Sequence, residues 1–318
     1  MRILDYIILI LGFIFLIKGA DFFVEGASSI AKIFKVPPIL IGLTIVAFGT
    51  SAPEAAVSIN SAIKGANEIA LGNVIGSNLF NILLVIGIAS AINPMKVQKM
   101  TIFKEFPFGI LSSIVLFILC ADVSLQNANS NMISKGDGLI LLSLFSIFLY
   151  YLIEMAILSK ESYQEETKQM SMKKSIIISI IGVLGIIIGG EWVVKASSSI
   201  AIKFGMSETL VGLTIVAIGT SLPELVTSIV AALKKEADIA MGNVIGSNLF
   251  NVLFILGISS YINPIMIDSD IFFDITYLVI ATVITYIAAF TKRTIFRLEG
   301  ALIASCYFIY MSYIIIRN

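Results

Sequence analysis

Apolar positions run almost without interruption along this chain, and the polar ones gather into short breaks between the runs. Ten runs read as membrane-crossing helices, at residues 5–30, 38–63, 69–92, 105–121, 138–158, 175–200, 208–233, 239–262, 271–290 and 299–316. At about 1.5 Å of rise per residue, runs of this length cover a hydrocarbon core of about 30 Å. With no water in the core to pair the backbone, helices are the expected form. Some breaks carry their own stops: Ile-Asn-Pro closes a run at 92–94 and again at 262–264, and a proline biases the residue before it away from helix.

The pattern is duplicated. A shift of 170 lays Gly42 on Gly212, Glu54 on Glu224, Gly72 on Gly242 and Asn81 on Asn251 without a gap. "GNVIGSNLFN" at 72–81 recurs letter for letter at 242–251, and "GLTIVAFGTSAPE" at 42–54 faces "GLTIVAIGTSLPE" at 212–224. The expected organisation is a five-helix repeat at 1–158, a polar linker at 159–174 and a second five-helix repeat at 175–318. Five is odd, so the second copy enters the membrane from the opposite side. The predicted fold is therefore an all-α integral membrane protein, with ten transmembrane helices arranged as two inverted-topology repeats.

Basic residues orient it, because Lys and Arg concentrate in cytoplasmic loops. With both termini outside, the inner loops hold Lys32, Lys35, Lys96, Lys99, Lys104, Lys160, Lys168, Lys173, Lys174, Lys234, Lys235, Lys292, Arg293 and Arg297. The outer segments hold only Arg2, Lys64, Lys135, Lys203 and Arg317. The expectation is a multi-pass protein of the cell membrane with both termini extracellular and the linker cytoplasmic. Inverted repeats are a common ground plan of secondary transporters, whose substrate sits near the midplane between the halves.

Composition agrees and removes other classes. The chain is 58% hydrophobic and 13% charged, with a mean hydropathy of +1.00. A net charge of zero gives no basic field for nucleic acid. Histidine is absent, which removes the usual catalytic base and the HExxH zinc site, so no enzyme is expected. Cys120 and Cys306 stand in apolar surroundings and read as small buried hydrophobes. The apolar stretch behind Arg2 lacks a small-residue cleavage site and reads as the first span.

Each copy then places a proline and a glutamate inside an apolar run. Pro53 has no N–H, and its ring collides with the carbonyl of Gly49, so run 38–63 must break. Carbonyls from Ala47 to Thr50 are expected to lose partners, which hydrocarbon tolerates only beside a cavity, a neighbour or an ion. Thr50, Ser51 and Glu54 add oxygens, and Thr220, Ser221, Pro223 and Glu224 repeat the device. Glu54 lies ten residues before Lys64, about 15 Å along a helix and near mid-depth. Ser77 lies nine residues past Glu68 on the next run, about 14 Å from the same surface. Asn73, Ser77 and Asn81 follow i, i+4, i+8 and share a helix face, while Gly72 and Gly76 permit close helix approach. Hard oxygens of this kind fit Ca²⁺ or Na⁺ and disfavour zinc or copper. Two carboxylates neutralise one Ca²⁺ or two Na⁺. The other intramembrane charges read as structural pairs, Lys18 with Asp21 and Glu191 with Lys195, with Glu25 beside them.

"GTSAPE" and "GTSLPE", each followed by "GNVIGSNLFN", resemble the paired alpha-repeats of the sodium/calcium exchanger branch of the calcium/cation antiporter family, and the likeness spans the chain. The resemblance implies alternating access, with Na⁺ entry driving Ca²⁺ out through one shared site. By position, Glu54 and Glu224 become the central ligands, and the carbonyls of Thr50 and Thr220 complete the Ca²⁺ sphere. The carbonyls of Ala47 and Ala217, with Ser51, Ser221, Ser77 and Ser247, line flanking Na⁺ positions. Asn81 and Asn251 stand beside the glutamates, and Gly19 and Gly189 belong to a mobile gate. Several relatives, potassium-dependent ones included, carry Asp where this chain has Asn251, which points to K⁺-independent exchange. Ca²⁺ and Na⁺ are cargo, so no cofactor is implied, and no obligatory protein partner beyond the lipid bilayer is expected. The alternative is a proton-coupled Ca²⁺ exchanger in which the same two glutamates shed protons as Ca²⁺ binds. A cation channel built on the same oxygens fits inverted broken helices less well than a carrier does.

Overall fold

The computed structural model describes residues 3–159, 170–205, 217–267 and 271–317. Apart from a short helix at Asp122–Gln126, its helices in chain order are α1 (Ile3–Phe34), α2 (Pro38–Thr50), α3 (Ala52–Ile63), α4 (Ile69–Ile92), α5 (Thr101–Leu119), α6 (Lys135–Ser159), α7 (Met172–Lys203), α8 (Ala217–Thr220), α9 (Leu222–Leu233), α10 (Ala237–Ile262), α11 (Ile271–Lys292) and α12 (Arg297–Arg317). Among the described residues, eight of these are long and apolar enough to cross a membrane, and α2 with α3, a pair bent by 51°, makes a ninth if counted as one span. Nine expected runs coincide with these elements to within about one helical turn. The tenth, 208–233, is described only from residue 217, as α8 and α9.

Burial sorts the helices into a centre and a shell. Over their most apolar 18 residues α4 is 78% and α10 89% buried, against about a third for the corresponding stretches of α1, α5, α6, α7, α11 and α12. The outer helices present Ile10, Ile14, Ile147, Ile177 and Ile309 outward, a continuous apolar surface that only lipid covers without penalty. Small residues let the backbones meet. A Cβ added at Gly189 of α7 would stand 2.5 Å from the amide nitrogen of Leu16, and one at Gly19 would stand 2.8 Å from the Gly182 carbonyl, so α1 and α7 cross backbone to backbone. At the α2–α10 crossing, a Cβ at Gly42 would lie 2.9 Å from the Cα of Gly242.

The loops tie each half to the other. Strand β1 (Met95–Lys96) pairs antiparallel with β4 (Thr294–Ile295), and β2 (Met132–Ile133) with β3 (Ile265–Met266). Each ladder is extended by one bond of the same kind, Val97 N–H to Arg293 O at 2.9 Å and Ile267 N–H to Asn131 O at 3.0 Å. Helices α4 and α10 stop at Ile92 and Ile262, and Asn93 and Asn263 are extended before their prolines, as the sequence predicts. Cys120 is buried, Cys306 is half-buried, and both are free thiols.

Three expectations need correction. Asp21 pairs with Lys234 of the α9–α10 turn at 2.6 Å rather than with Lys18, because that lysine also reaches the Asp21 carbonyl at 2.8 Å. Glu191 and Lys195 are both exposed and do not come within 4 Å of each other; an exposed i, i+4 pair gains too little to hold two long side chains together. The expected contact of Gly72 and Gly76 is not seen among the described residues, where nothing lies within 4 Å of a Cβ at either.

Candidate functional site

Pro53 breaks α2 as its chemistry requires. Ser51 takes φ −81° and ψ 7°, and α3 starts afresh with the proline in its first turn, where a missing N–H leaves no helical bond unmade. Ser221, at φ −92° and ψ 4°, makes the same corner between α8 and α9. Glu54 and Glu224 therefore fall in the first turns of α3 and α9, where the half-helix dipole favours negative charge. The expected freeing of carbonyls is narrower than the run from Ala47 to Thr50. Ala47 O still accepts the Ser51 N–H at 2.9 Å, because the turn before the break stays α-helical. The carbonyl that proline chemistry strips of its donor is Gly49.

The two glutamates are fully buried and are held reciprocally across the halves. Ser51 Oγ donates to Glu224 Oε1, and Ser221 Oγ donates to Glu54 Oε1, each at 2.9 Å. Ser247 Oγ lies 3.4 Å from Glu224 Oε1 and 3.5 Å from Ala47 O. Thr50 Oγ1 donates to Asn243 Oδ1 at 3.0 Å, and Thr220 Oγ1 approaches Asn73 Oδ1 at 3.5 Å. Asn73 Nδ2 in turn donates to Ser58 Oγ at 2.9 Å, matched by Asn243 Nδ2 to Ser228 Oγ at 3.0 Å. Each bond from the first half thus has a counterpart from the second.

On α4 and α10 the remaining amides interlock. Asn81 Nδ2 donates to Asn248 Oδ1 at 3.0 Å and Asn251 Nδ2 to Asn78 Oδ1 at 3.1 Å. Asn78 Nδ2 donates to the Asn248 carbonyl and Asn248 Nδ2 to the Asn78 carbonyl, both at 3.2 Å. Asn81 and Asn251 both lie in wide π-helical turns, Phe80–Val85 and Phe250–Ile255, a distortion often found at functional sites.

What these bonds leave over is one kind of atom. Glu54 Oε2, Glu224 Oε2, Asn81 Oδ1, Asn251 Oδ1 and Ser77 Oγ are buried oxygens with no hydrogen-bond partner. Two ionised carboxylates removed from water cost several kcal/mol each, by order of magnitude, unless positive charge meets them. A dehydrated hard cation supplies that charge and satisfies oxygens at the same time. Among the described residues no cluster of three or more acidic or cysteine side chains exists for a tightly held resident metal.

Of the twelve residues singled out from the sequence, eleven fall in this description: Ala47, Thr50, Ser51, Glu54, Ser77, Asn81, Thr220, Ser221, Glu224, Ser247 and Asn251. Ala217 opens α8, directly after the undescribed residues 206–216.

Known proteins share this plan. The family described as sodium/calcium exchanger protein matches residues 4–154 and 174–316. The chain belongs to the sodium/calcium exchanger family. It is 38% identical to the putative antiporter CaxA of Alkalimonas amylolytica, over 87% of this chain and 88% of that one. It is 32% identical to the sodium/calcium exchanger MaX1 of Methanosarcina acetivorans, over 96% and 97%. Among solved structures, the sodium-calcium exchanger NCX_Mj soaked with Na⁺ and Ca²⁺ superposes with a TM-score of 0.84 at 33% identity, over 98% of this chain and 99% of its own. The family is one of ion transporters in membranes, and this chain is a multi-pass member.

Within the exchanger fold, sequence reasoning missed Ser58, Ser228, Asn78 and Asn248. The two asparagines lie inside the decapeptide that recurs letter for letter. They fell outside because the i, i+4, i+8 stripe selects one helix face, and Asn78 is turned about 100° from Ser77.

Proposed function

We propose that this exchanger-family protein is a Na⁺/Ca²⁺ antiporter working by alternating access at a site between its two halves. The ligands are Glu54 and Glu224, the hydroxyls of Ser51, Ser221, Ser77 and Ser247, the amide oxygens of Asn81 and Asn251, and the carbonyls of Thr50, Thr220, Ala47 and Ala217. The architecture is ten spans in two inverted repeats, 1–158 and 175–318, with the linker 159–174 and the α9–α10 turn on the cytoplasmic side. One observation carries the reading: a reciprocal set of buried oxygens, two of them carboxylate, left without donors where the halves cross.

Asn251 bears on the charge count. Its Nδ2 donates to Asn78 Oδ1, a bond that an ionised Asp could not make, so the site carries two negative charges rather than three. One Ca²⁺ or two Na⁺ neutralise it. If more than two Na⁺ exchange for one Ca²⁺, the loaded states differ in charge and transport responds to membrane voltage.

Proteoliposomes loaded with Na⁺ and diluted into Na⁺-free buffer take up labelled Ca²⁺ under this reading, and an ionophore that collapses the Na⁺ gradient stops the uptake. Uptake that follows an imposed pH gradient and ignores Na⁺ would assign the coupling to protons instead.

A further inference from the structure

Which end of a carboxamide meets a cation decides whether it helps or repels: the oxygen is a ligand, while the NH₂ is a donor. Asn81 and Asn251 are buried with their oxygens unpartnered. The bonds behind them determine why. Asn78 Nδ2 reaches the Asn248 carbonyl and Asn248 Nδ2 reaches the Asn78 carbonyl, and a carbonyl only accepts, so these two amides have a fixed sense. Their oxygens must then face Asn251 and Asn81 respectively, and only an NH₂ group can sit opposite. Flipping Asn251 would set oxygen against oxygen at Asn78 and turn a buried donor the other way.

We propose that Asn78 and Asn248 are positioning residues, each fixing the carboxamide of the other half's Asn251 or Asn81 so that its oxygen is presented to the ion. The relay starts at a backbone carbonyl, runs through one amide and ends at the ligand oxygen, and it crosses the boundary between the halves twice. The proposal rests on the ion site described above. A purely structural role, interhelical bonding between α4 and α10, is the competing explanation.

The two are separated by a double-mutant cycle read as equilibrium Ca²⁺ binding to the purified full chain, which needs no coupling ion. Asn78→Leu removes the orienting oxygen and raises the Ca²⁺ Kd about tenfold, the scale of one lost buried hydrogen bond. Asn251→Asp needs no orientation, since its two oxygens are equivalent. In the Asn78→Leu background it restores binding, whereas alone it sets a carboxylate against Asn78 Oδ1 and weakens binding. This reversal of sign is the expected result, and a packing role does not produce it. The mirror cycle, Asn248→Leu with Asn81→Asp, gives the same reading if one variant fails to fold. Equal effects of the aspartate in both backgrounds would overturn the proposal, while a wild-type chain that binds no Ca²⁺ would overturn the ion site on which it rests.

Discussion

Glu54 and Glu224 each use one oxygen for a serine of the opposite half and leave the other unpartnered. A glutamine at either position keeps the shape and still offers an oxygen to that serine, so only charge is lost. Burying a neutral amide in place of a carboxylate removes a desolvation cost. For Glu54→Gln and Glu224→Gln, the thermal midpoint in ion-free buffer is therefore expected to hold or rise, while Ca²⁺ transport falls by more than about a hundredfold. Wild-type protein gains about 2.7 kcal/mol at a Ca²⁺ concentration of one hundred times Kd, and both variants lose that stabilisation in a thermal-shift titration. A rise with Ca²⁺ that survives in both would remove the glutamates from the site. These two residues were legible because a carboxylate behind a proline in an apolar run has no ordinary structural use, and finding it twice excludes accident. Ser58 and Ser228 were not, since their partners Asn73 and Asn243 lie on the next helix and no spacing within one element reveals them.

Elements were legible to the extent that a break or a stop has a residue type of its own. Pro53 announces the bend, and the Asn-Pro pairs announce the ends of α4 and α10. The wide turns at Phe80–Val85 and Phe250–Ile255 carry no such mark. One extra residue per turn shifts the helix face, and past Asn81 and Asn251 the wide turns are wholly apolar, so the polar stripe ends before it can record the shift. The two-residue strands were equally hidden, because their pairing is with the opposite half. Close crossings, by contrast, are written in glycine. A Cβ at Gly242 would meet backbone, the Ile39 carbonyl at 2.6 Å and the Cα of Gly42 at 2.9 Å, neither of which can rotate away. Gly242→Ala is expected to force α2 and α10 apart at about 1–3 kcal/mol. Gly109→Ala is the control: nothing lies within 4 Å of its Cβ, so the gain in helix propensity makes it neutral or stabilising by up to about 1 kcal/mol. Denaturation midpoints that move equally for the two variants would contradict the packing assigned to Gly242.

At the scale of the whole molecule, the two repeats are alike in sequence but not in contact. Asp21 of α1 bridges Lys234 at 2.6 Å, and Ser28 donates to Glu236 at 2.7 Å; Ser28, Lys234 and Glu236 line a cleft of about 420 Å³ together with Glu25, Ser29 and Lys32. The 170-residue shift carries Asp21 to Glu191 and Lys234 to Lys64, an acid and a base in matching places. That second pair is apart, with both side chains exposed and no bridge within 4 Å. One face thus ties its first long helix to the hairpin turn of the opposite half, while the matching tie at the other face is not made, the asymmetry that the proposed alternating access calls for. In the other access state the Glu191–Lys64 pair is expected to close as Asp21–Lys234 opens. The side chains of Asp21 and Lys234 are 37% and 31% exposed, so the bridge contributes no more than about 1 kcal/mol, or a roughly fivefold change in population at most. Apparent affinity follows the populated fraction of the competent state. Lys234→Gln is therefore expected to lower the apparent KM for Ca²⁺ at the face bearing the α9–α10 turn and raise it at the opposite face. Lys64→Gln does the reverse. Flux measured in both directions across oriented proteoliposomes reads the two signs, and shifts of the same sign at both faces would mean that these pairs do not report the access equilibrium.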